Sequence, residues 1–330
     1  PASKPSEPAG PGGPAGQRSP TRHDVPRGSL NDAGPPAVSA RGWALFTAMS
    51  VIWGVPYLLI KIALEELSVP VVVFARTFIG AAVLLPLAFS PGIVGVLRKH
   101  WKPLLAFAFL EIIAAWLFLS DAETRLSSST TGLLIAATPI IAAILERLTG
   151  GIGRLGVPRI TGLVVGLIGV SVLAGHGLAG GGAWPVTEVL LVSFCYASAP
   201  LIAARHLGAV PPLPMTAACL GLAALVYAPA AAFSWPAEMP SGRVLVATVL
   251  LALMCTALAF VLFFALIREA GPSRAVVITY LNPAVALAAG VIILGEPLTP
   301  SSLIGLALIL IGSALATRPS SAAAGPAEAN

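Results

Sequence analysis

The sequence predicts an all-α integral membrane protein, with ten transmembrane helices arranged as two inverted five-helix repeats. Three observations predict it. Mean hydropathy is +0.91, and charged residues make up 10% of the chain, against about 25% in soluble domains. Apolar runs near the ~20 residues needed to cross ~30 Å of hydrocarbon recur between short polar loops. The two halves also echo each other at an offset of 143 or 144 residues.

Residues 1–41 are rich in Pro, Gly and Ser and hold no apolar run, so they are expected to form a disordered cytoplasmic tail. They do not read as a signal peptide, because no short apolar core precedes a small-residue cleavage site. The spans then follow at 43–62, 69–89, 101–120, 130–149, 158–175, 186–204, 213–233, 243–265, 275–294 and 301–317, and 318–330 is a second polar tail. Five spans fall in the repeat 42–175 and five in the repeat 176–317. The second span carries Arg76 and the third carries Glu111. The fourth is broken by Thr138–Pro139 and the ninth by Asn282–Pro283. A mid-helix proline survives in a bilayer where a neighbouring helix or a cavity satisfies the freed carbonyl. Paired broken helices in two halves point to a carrier's binding site. The fifth and tenth spans carry glycine stripes, Gly162, Gly166 and Gly169 with Gly305 and Gly312, which suit close helix packing or a dimer seam.

Charge sets the expected orientation. With the N-terminus inside, fifteen Lys and Arg residues fall on the cytoplasmic side and three, Lys61, Arg125 and Arg243, on the external side. Both termini are then cytoplasmic, in a cell (plasma or inner) membrane. The net charge of +5 lies in short loops, which argues against a nucleic-acid partner. Cys195, Cys219 and Cys255 show no CxxC spacing, and the four histidines are scattered, so neither a disulfide, a metal nor a cofactor is expected. No HExxH, GxSxG or Walker pattern occurs, so an enzyme reading has no motif support. Asp121, Glu123 and Arg125 are expected to be solvated in a short external loop.

The repeat isolates the unusual residues. Ser50 and Trp53 match Ser193 and Tyr196, Thr138–Pro139 matches Asn282–Pro283, and Gly162 and Gly169 match Gly305 and Gly312. Arg76 and Glu111 have no charged counterpart in the second half. At 1.5 Å per residue they lie roughly 20 Å and 15 Å from the inner face, where an ionisable group marks a functional site. Glu111 is a candidate for proton coupling or for recognising a cationic group, and otherwise a structural ion pair with Arg76. Arg76 suits a carboxylate or phosphate, and otherwise serves as that partner or as packing. Trp53, Trp116 and Tyr196 are candidates to stack on a ligand, and core packing is the ordinary role of each. Tyr280 and Asn282 add polar groups at the second break. Thr138, Pro139 and Pro283 are candidates for hinging or cavity lining.

Several stretches carry a resemblance. SVIWGVPYLLIKIAL (50–64), VFARTFIGAAVLLP (73–86), LSSSTTGLLIAATPIIAAI (126–144), AGPSRAVVITYLNPAVALAAGVIILGEPLT (270–299) and LIGLALILIGSAL (303–315) resemble the EamA-type carriers of the drug/metabolite transporter superfamily. The resemblance covers 43–317. It implies an inverted-repeat carrier of small metabolites or drugs, often an exporter, with a central cavity. The family's Gly-Glu turn after the proline-bearing helix is kept at Gly295–Glu296, but the matching first-half stretch, 152–154, lacks the acid.

The expected function is secondary transport of a small organic solute by alternating access, outward and coupled to protons, with a homodimer as a candidate assembly. A non-transporting receptor or membrane enzyme on a similar bundle is the alternative from another class, and a channel is a third.

Overall fold

The computed structural model describes residues 39–88, 90–149, 157–270 and 278–316. The tails and the 152–154 stretch lie outside the described residues. Among the described residues the chain is all-helical.

The first apolar run forms α1 (Ala40–Gly54) and α2 (Pro56–Ala63). Ser39 caps α1 by accepting the Gly42 N–H at 3.0 Å. The break falls at Val55 because Pro56 opens α2 without a donor of its own. Next comes α3 (Val69–Ala88). A short helix, α4 (Ile93–Lys99), follows from the left-handed Gly92. The third run is α5 (Trp101–Ala108), a π-helical turn (Phe109–Ala114) and α6 (Ala115–Arg125). The fourth run divides into α7 (Ser128–Ile135) and α8 (Thr138–Leu148). There Pro139 sits in the first turn of α8, and Thr138 Oγ1 donates to the Ile135 carbonyl at 2.7 Å.

The remaining helices are α9 (Val157–Gly181), α10 (Ala183–His206), α11 (Pro212–Phe233), α12 (Gly242–Ala252), a second π-helical turn (Leu253–Leu258), α13 (Ala259–Ala270), α14 (Ile278–Leu294) and α15 (Pro300–Ala316). The two π turns begin at Phe109 and Leu253, 144 residues apart. Their spacing equals the offset of the sequence echo.

Among the described residues seven helices are long and apolar enough to cross a membrane: Ala40–Ala63, Val69–Ala88, Trp101–Arg125, Ser128–Leu148, Ala183–His206, Pro212–Phe233 and Gly242–Ala270. Shorter apolar helices occupy Ile160–Gly175, Ile278–Leu294 and Pro300–Leu315. These three take the places of the expected fifth, ninth and tenth spans.

Two expectations change, and the close packing expected of the glycine stripes is found within the chain. The third run stays helical to Arg125, so Asp121, Glu123 and Arg125 lie on a helix rather than in a loop. Glu123 is fully buried. Pro283 does not break its helix, because α14 starts at Ile278 and runs through it. The Asn282 amide, with Nδ2 facing the carbonyls, donates to Ile278 at 2.9 Å and to Ser50 at 3.2 Å. That side chain bonds the helix backbone beside the proline and ties α14 to α1. The glycine stripes serve packing within the chain, since α9 lies along α15. A Cβ on Gly312 would fall 2.4 Å from the Gly166 nitrogen and 2.7 Å from the Gly162 oxygen.

Packing crosses the halves. α3 lies along α11, α6 along α10, and α14 against both α1 and α7. The main core gathers Met49, Ile60, Leu84, Ile112, Leu220 and Leu251 from both halves. A second apolar cluster joins α7, α9, α10 and α15 through Leu133, Leu173, Val189 and Ile309.

Candidate functional site

The second π turn lies beside the buried guanidinium of Arg76, and the first leads into α6, whose Trp116 faces that guanidinium. A π turn widens the helix by one residue and leaves backbone groups without their usual partners; such turns are frequent at functional sites. In the second, Thr256 Oγ1 donates to the Leu251 carbonyl at 2.9 Å and accepts Arg76 Nε at 2.8 Å. In the first, which carries Glu111, the Ile113 carbonyl accepts the Tyr227 hydroxyl at 2.6 Å. The Arg76–Thr256 and Tyr227–Ile113 bonds each join one half to the other.

Arg76 comes from α3 and is 6% exposed. Its guanidinium carbon stands 3.6 Å from the centre of the Trp116 ring, a cation–π contact. It forms no ion pair with Glu111, and among the described residues its two Nη groups have no hydrogen-bond partner. The alternative of a structural Arg76–Glu111 ion pair is therefore corrected: Thr256 and Trp116 orient Arg76. Tyr196, from α10, lies within electrostatic reach of both Arg76 and Glu111. Four of the sequence candidates, Arg76, Glu111, Trp116 and Tyr196, thus share one neighbourhood.

The other candidates lie apart from it. Trp53 packs on Phe263, with ring centres 4.6 Å apart, and edge-on to Phe260. Tyr280 donates to the Ser313 carbonyl at 3.4 Å. Thr138, Pro139, Asn282 and Pro283 shape the backbone of α8 and α14 as described above. Two apolar grooves, about 450 and 480 Å³, lie at Val83–Leu84–Met254 and at Phe46–Ser50–Leu281. No predicted site residue lines either of them.

One end of the bundle is laced shut by polar contacts between the halves. Glu296, placed by the left-handed Gly295, caps α7. Its Oε1 accepts the Ser128 N–H at 2.8 Å and the Ser128 hydroxyl at 2.9 Å, and its Oε2 accepts the Ser129 N–H at 2.9 Å. A carboxylate here also meets the positive end of the helix dipole. Arg243 pairs with Glu65 at 3.0 Å, and Ser68 donates to Ser234 Oγ at 2.9 Å. Glu66 accepts the Ser241 N–H at 2.6 Å, and this bond holds its carboxyl below the ordinary value. Within the first half, Lys61 Nζ donates to the Glu123 and Leu126 carbonyls at the same end. At the opposite end the contacts between the halves among the described residues include Ser39 to Glu269 at 2.6 Å and the looser Arg41–Glu269 pair at 4.0 Å.

Sequence reasoning missed Thr256, Tyr227, Lys61 and the burial of Glu123. Thr256 and Tyr227 are ordinary residues in apolar runs, and only the π turns give them their role. The Glu296 cap had a signal, the Gly-Glu turn, but its target could not be read from spacing.

The model of the EamA-like transporter family matches this chain twice, over residues 40–175 and 184–318. The chain belongs to the EamA-like transporter family. It is therefore a multi-pass membrane transporter by family, with the apolar helices such a protein needs. This transporter is 28% identical over 286 residues to the inner membrane transporter YedA of Escherichia coli strain K12, covering 83% of this chain and 89% of that one. It is 28% identical to the probable terminal-alkyne amino-acid exporter of Streptantibioticus cattleyicolor, covering 84% of this chain and 93% of that one. A solved crystal structure shares its fold, with a TM-score of 0.61 at 22% identity over 85% of this chain and 98% of that chain.

Proposed function

We propose that this transporter exports a small amino-acid-like solute across the inner membrane by alternating access between two inverted five-helix repeats. The observation that carries the proposal is Arg76: a buried guanidinium held between the halves by Thr256 and Trp116, with both Nη groups free of protein partners among the described residues. A guanidinium fork matches a carboxylate in geometry and charge. Glu111 supplies the opposite charge for an ammonium group. Trp116 and Tyr196 offer aromatic faces to the apolar part.

The twofold family match, the π turns 144 residues apart and the repeated proline positions support the repeat reading, with repeats at 42–175 and 176–317. An odd number of spans per repeat inverts the second against the first. The positive-inside count supports cytoplasmic termini. On that orientation the laced end faces outward and the Arg41–Glu269 end faces the cytoplasm, as a carrier loading from inside requires. Opening would part the outer contacts while the inner ends close.

The test is counterflow in proteoliposomes with propargylglycine, a terminal-alkyne amino acid read out by coupling to an azide dye. The expected result is exchange well above protein-free liposomes. Arg76→Gln should lose at least about tenfold, and Arg76→Lys should fall between because it lacks the fork. No exchange above protein-free liposomes, or full exchange in Arg76→Gln, refutes the reading.

A further inference from the structure

Glu123 is the least expected group in the molecule. It sits near the end of α6, is fully buried, and neither of its carboxylate oxygens has a hydrogen-bond partner among the described residues. An ionised carboxylate in that state is costly; a neutral one costs far less. The obvious cation does not pair with it. Lys61 directs its ammonium to the backbone carbonyls of Glu123 and Leu126 instead. No ion pair joins Glu123 to Lys61 or Arg76 within 4.0 Å.

The charged and titratable groups around Glu123 come from several elements. Lys61 and Tyr57 face it from α2, Arg76 from α3, and Glu296 from the turn after α14. On its own helix, Asp121 pairs with Arg125 at 3.0 Å, and Arg125 reaches Glu188 of α10 at 3.6 Å. α7 brings only Ser and Thr hydroxyls to its first turn. Three cations and three further carboxylates thus surround it, and none pairs with the Glu123 oxygens. A proton is the ligand that such an enclosed carboxyl can take, because it needs no cavity.

The site is also tied to the laced end. Lys61 grips the backbone at Glu123 and Leu126, and Glu296 grips it at Ser128 and Ser129. The same short stretch therefore encloses the carboxyl and closes that end of the bundle.

We propose that Glu123 is the transporter's proton-binding site. Its carboxyl holds a proton while the laced end is closed and exchanges it with water when that end parts. The proposal rests on the alternating-access reading above and assigns coupling to Glu123 rather than to Glu111. The step is one proton passing between the carboxyl oxygen and solvent, with no other bond changed.

Two measurements on the purified full-length chain in lipid nanodiscs test it. The first is infrared difference spectroscopy at neutral pH. Subtracting the Glu123→Gln spectrum from the parent spectrum should leave a carbonyl band of a protonated carboxylic acid, and Glu111→Gln should retain that band. The lack of such a difference band overturns the proposal, because Glu123 would then be ionised in the parent. The second is the distance between spin labels at Thr124→Cys and Met239→Cys, one in each half; both positions are exposed and the native cysteines are buried. Raising the pH should lengthen that distance in the parent chain and leave it short in Glu123→Gln, where the amide mimics the protonated acid. An identical pH response in both chains overturns the Glu123 assignment while leaving the moving halves intact. A distance that no pH changes overturns the coupling, and one that propargylglycine also leaves unchanged counts against alternating access itself.

Discussion

Replacing Glu296 by alanine removes an acceptor that three donors share. The Ser128 N–H and hydroxyl reach one carboxylate oxygen at 2.8 and 2.9 Å, and the Ser129 N–H reaches the other at 2.9 Å. A hydrogen bond to a charged group contributes about 1.5–3 kcal/mol, and a donor left buried without a partner costs about 1–3 kcal/mol. A helix cap contributes about 0.5–2 kcal/mol. The three bonds overlap as one cap, and Glu296 is only half-buried, so water replaces part of what is lost. The expected cost of Glu296→Ala is about 2–4 kcal/mol. Glu296→Gln should lose less, because its amide oxygen still accepts, and Ser128→Ala should lose about 1 kcal/mol. The assay is equilibrium unfolding in mixed micelles, followed by helical circular dichroism. A Glu296→Ala protein within about 0.5 kcal/mol of the parent, the range of an unremarkable surface change, refutes the claim that this carboxylate holds the end of α7.

Gly312→Ala should cost about 1–3 kcal/mol by overpacking, since its Cβ would meet Gly166 backbone at 2.4 and 2.5 Å. Gly175→Ala, with nothing within 4 Å, is the neutral control in the same unfolding assay. Tyr227→Phe should cost about 1–3 kcal/mol, because the Ile113 carbonyl in the π turn loses its donor. The contribution of Glu66 should depend on pH. Its folded value lies below the ordinary one of about 4.3, held there by the Ser241 N–H. The stabilisation is therefore complete above the ordinary value and lost as the pH falls through the lowered one. Thermal unfolding across that acid range should show the loss in the parent and a smaller one in Glu66→Gln.

Membrane class, the approximate runs of helix and the echo between halves were all legible in the sequence, because each depends on local composition and period. An apolar run of sufficient length must form a helix in lipid whatever surrounds it, and Pro56 and Pro139 end helical turns by chemistry carried in one residue. Arg76, Glu111, Trp116 and Tyr196 stood out singly for the same reason. Their grouping did not, because which helix faces lie together depends on packing between segments far apart in the chain. Tertiary structure alone decided that Arg76 meets Thr256 and Trp116 rather than Glu111. It decided that α14 runs on through Pro283, with the Asn282 amide bonded to the Ile278 and Ser50 carbonyls. It also turned Glu123 from a loop residue into a buried acid, because α6 runs on to Arg125 and is covered by α2, α7 and α10. Burial belongs to the neighbours that cover a side chain, and no window of sequence around that side chain contains them.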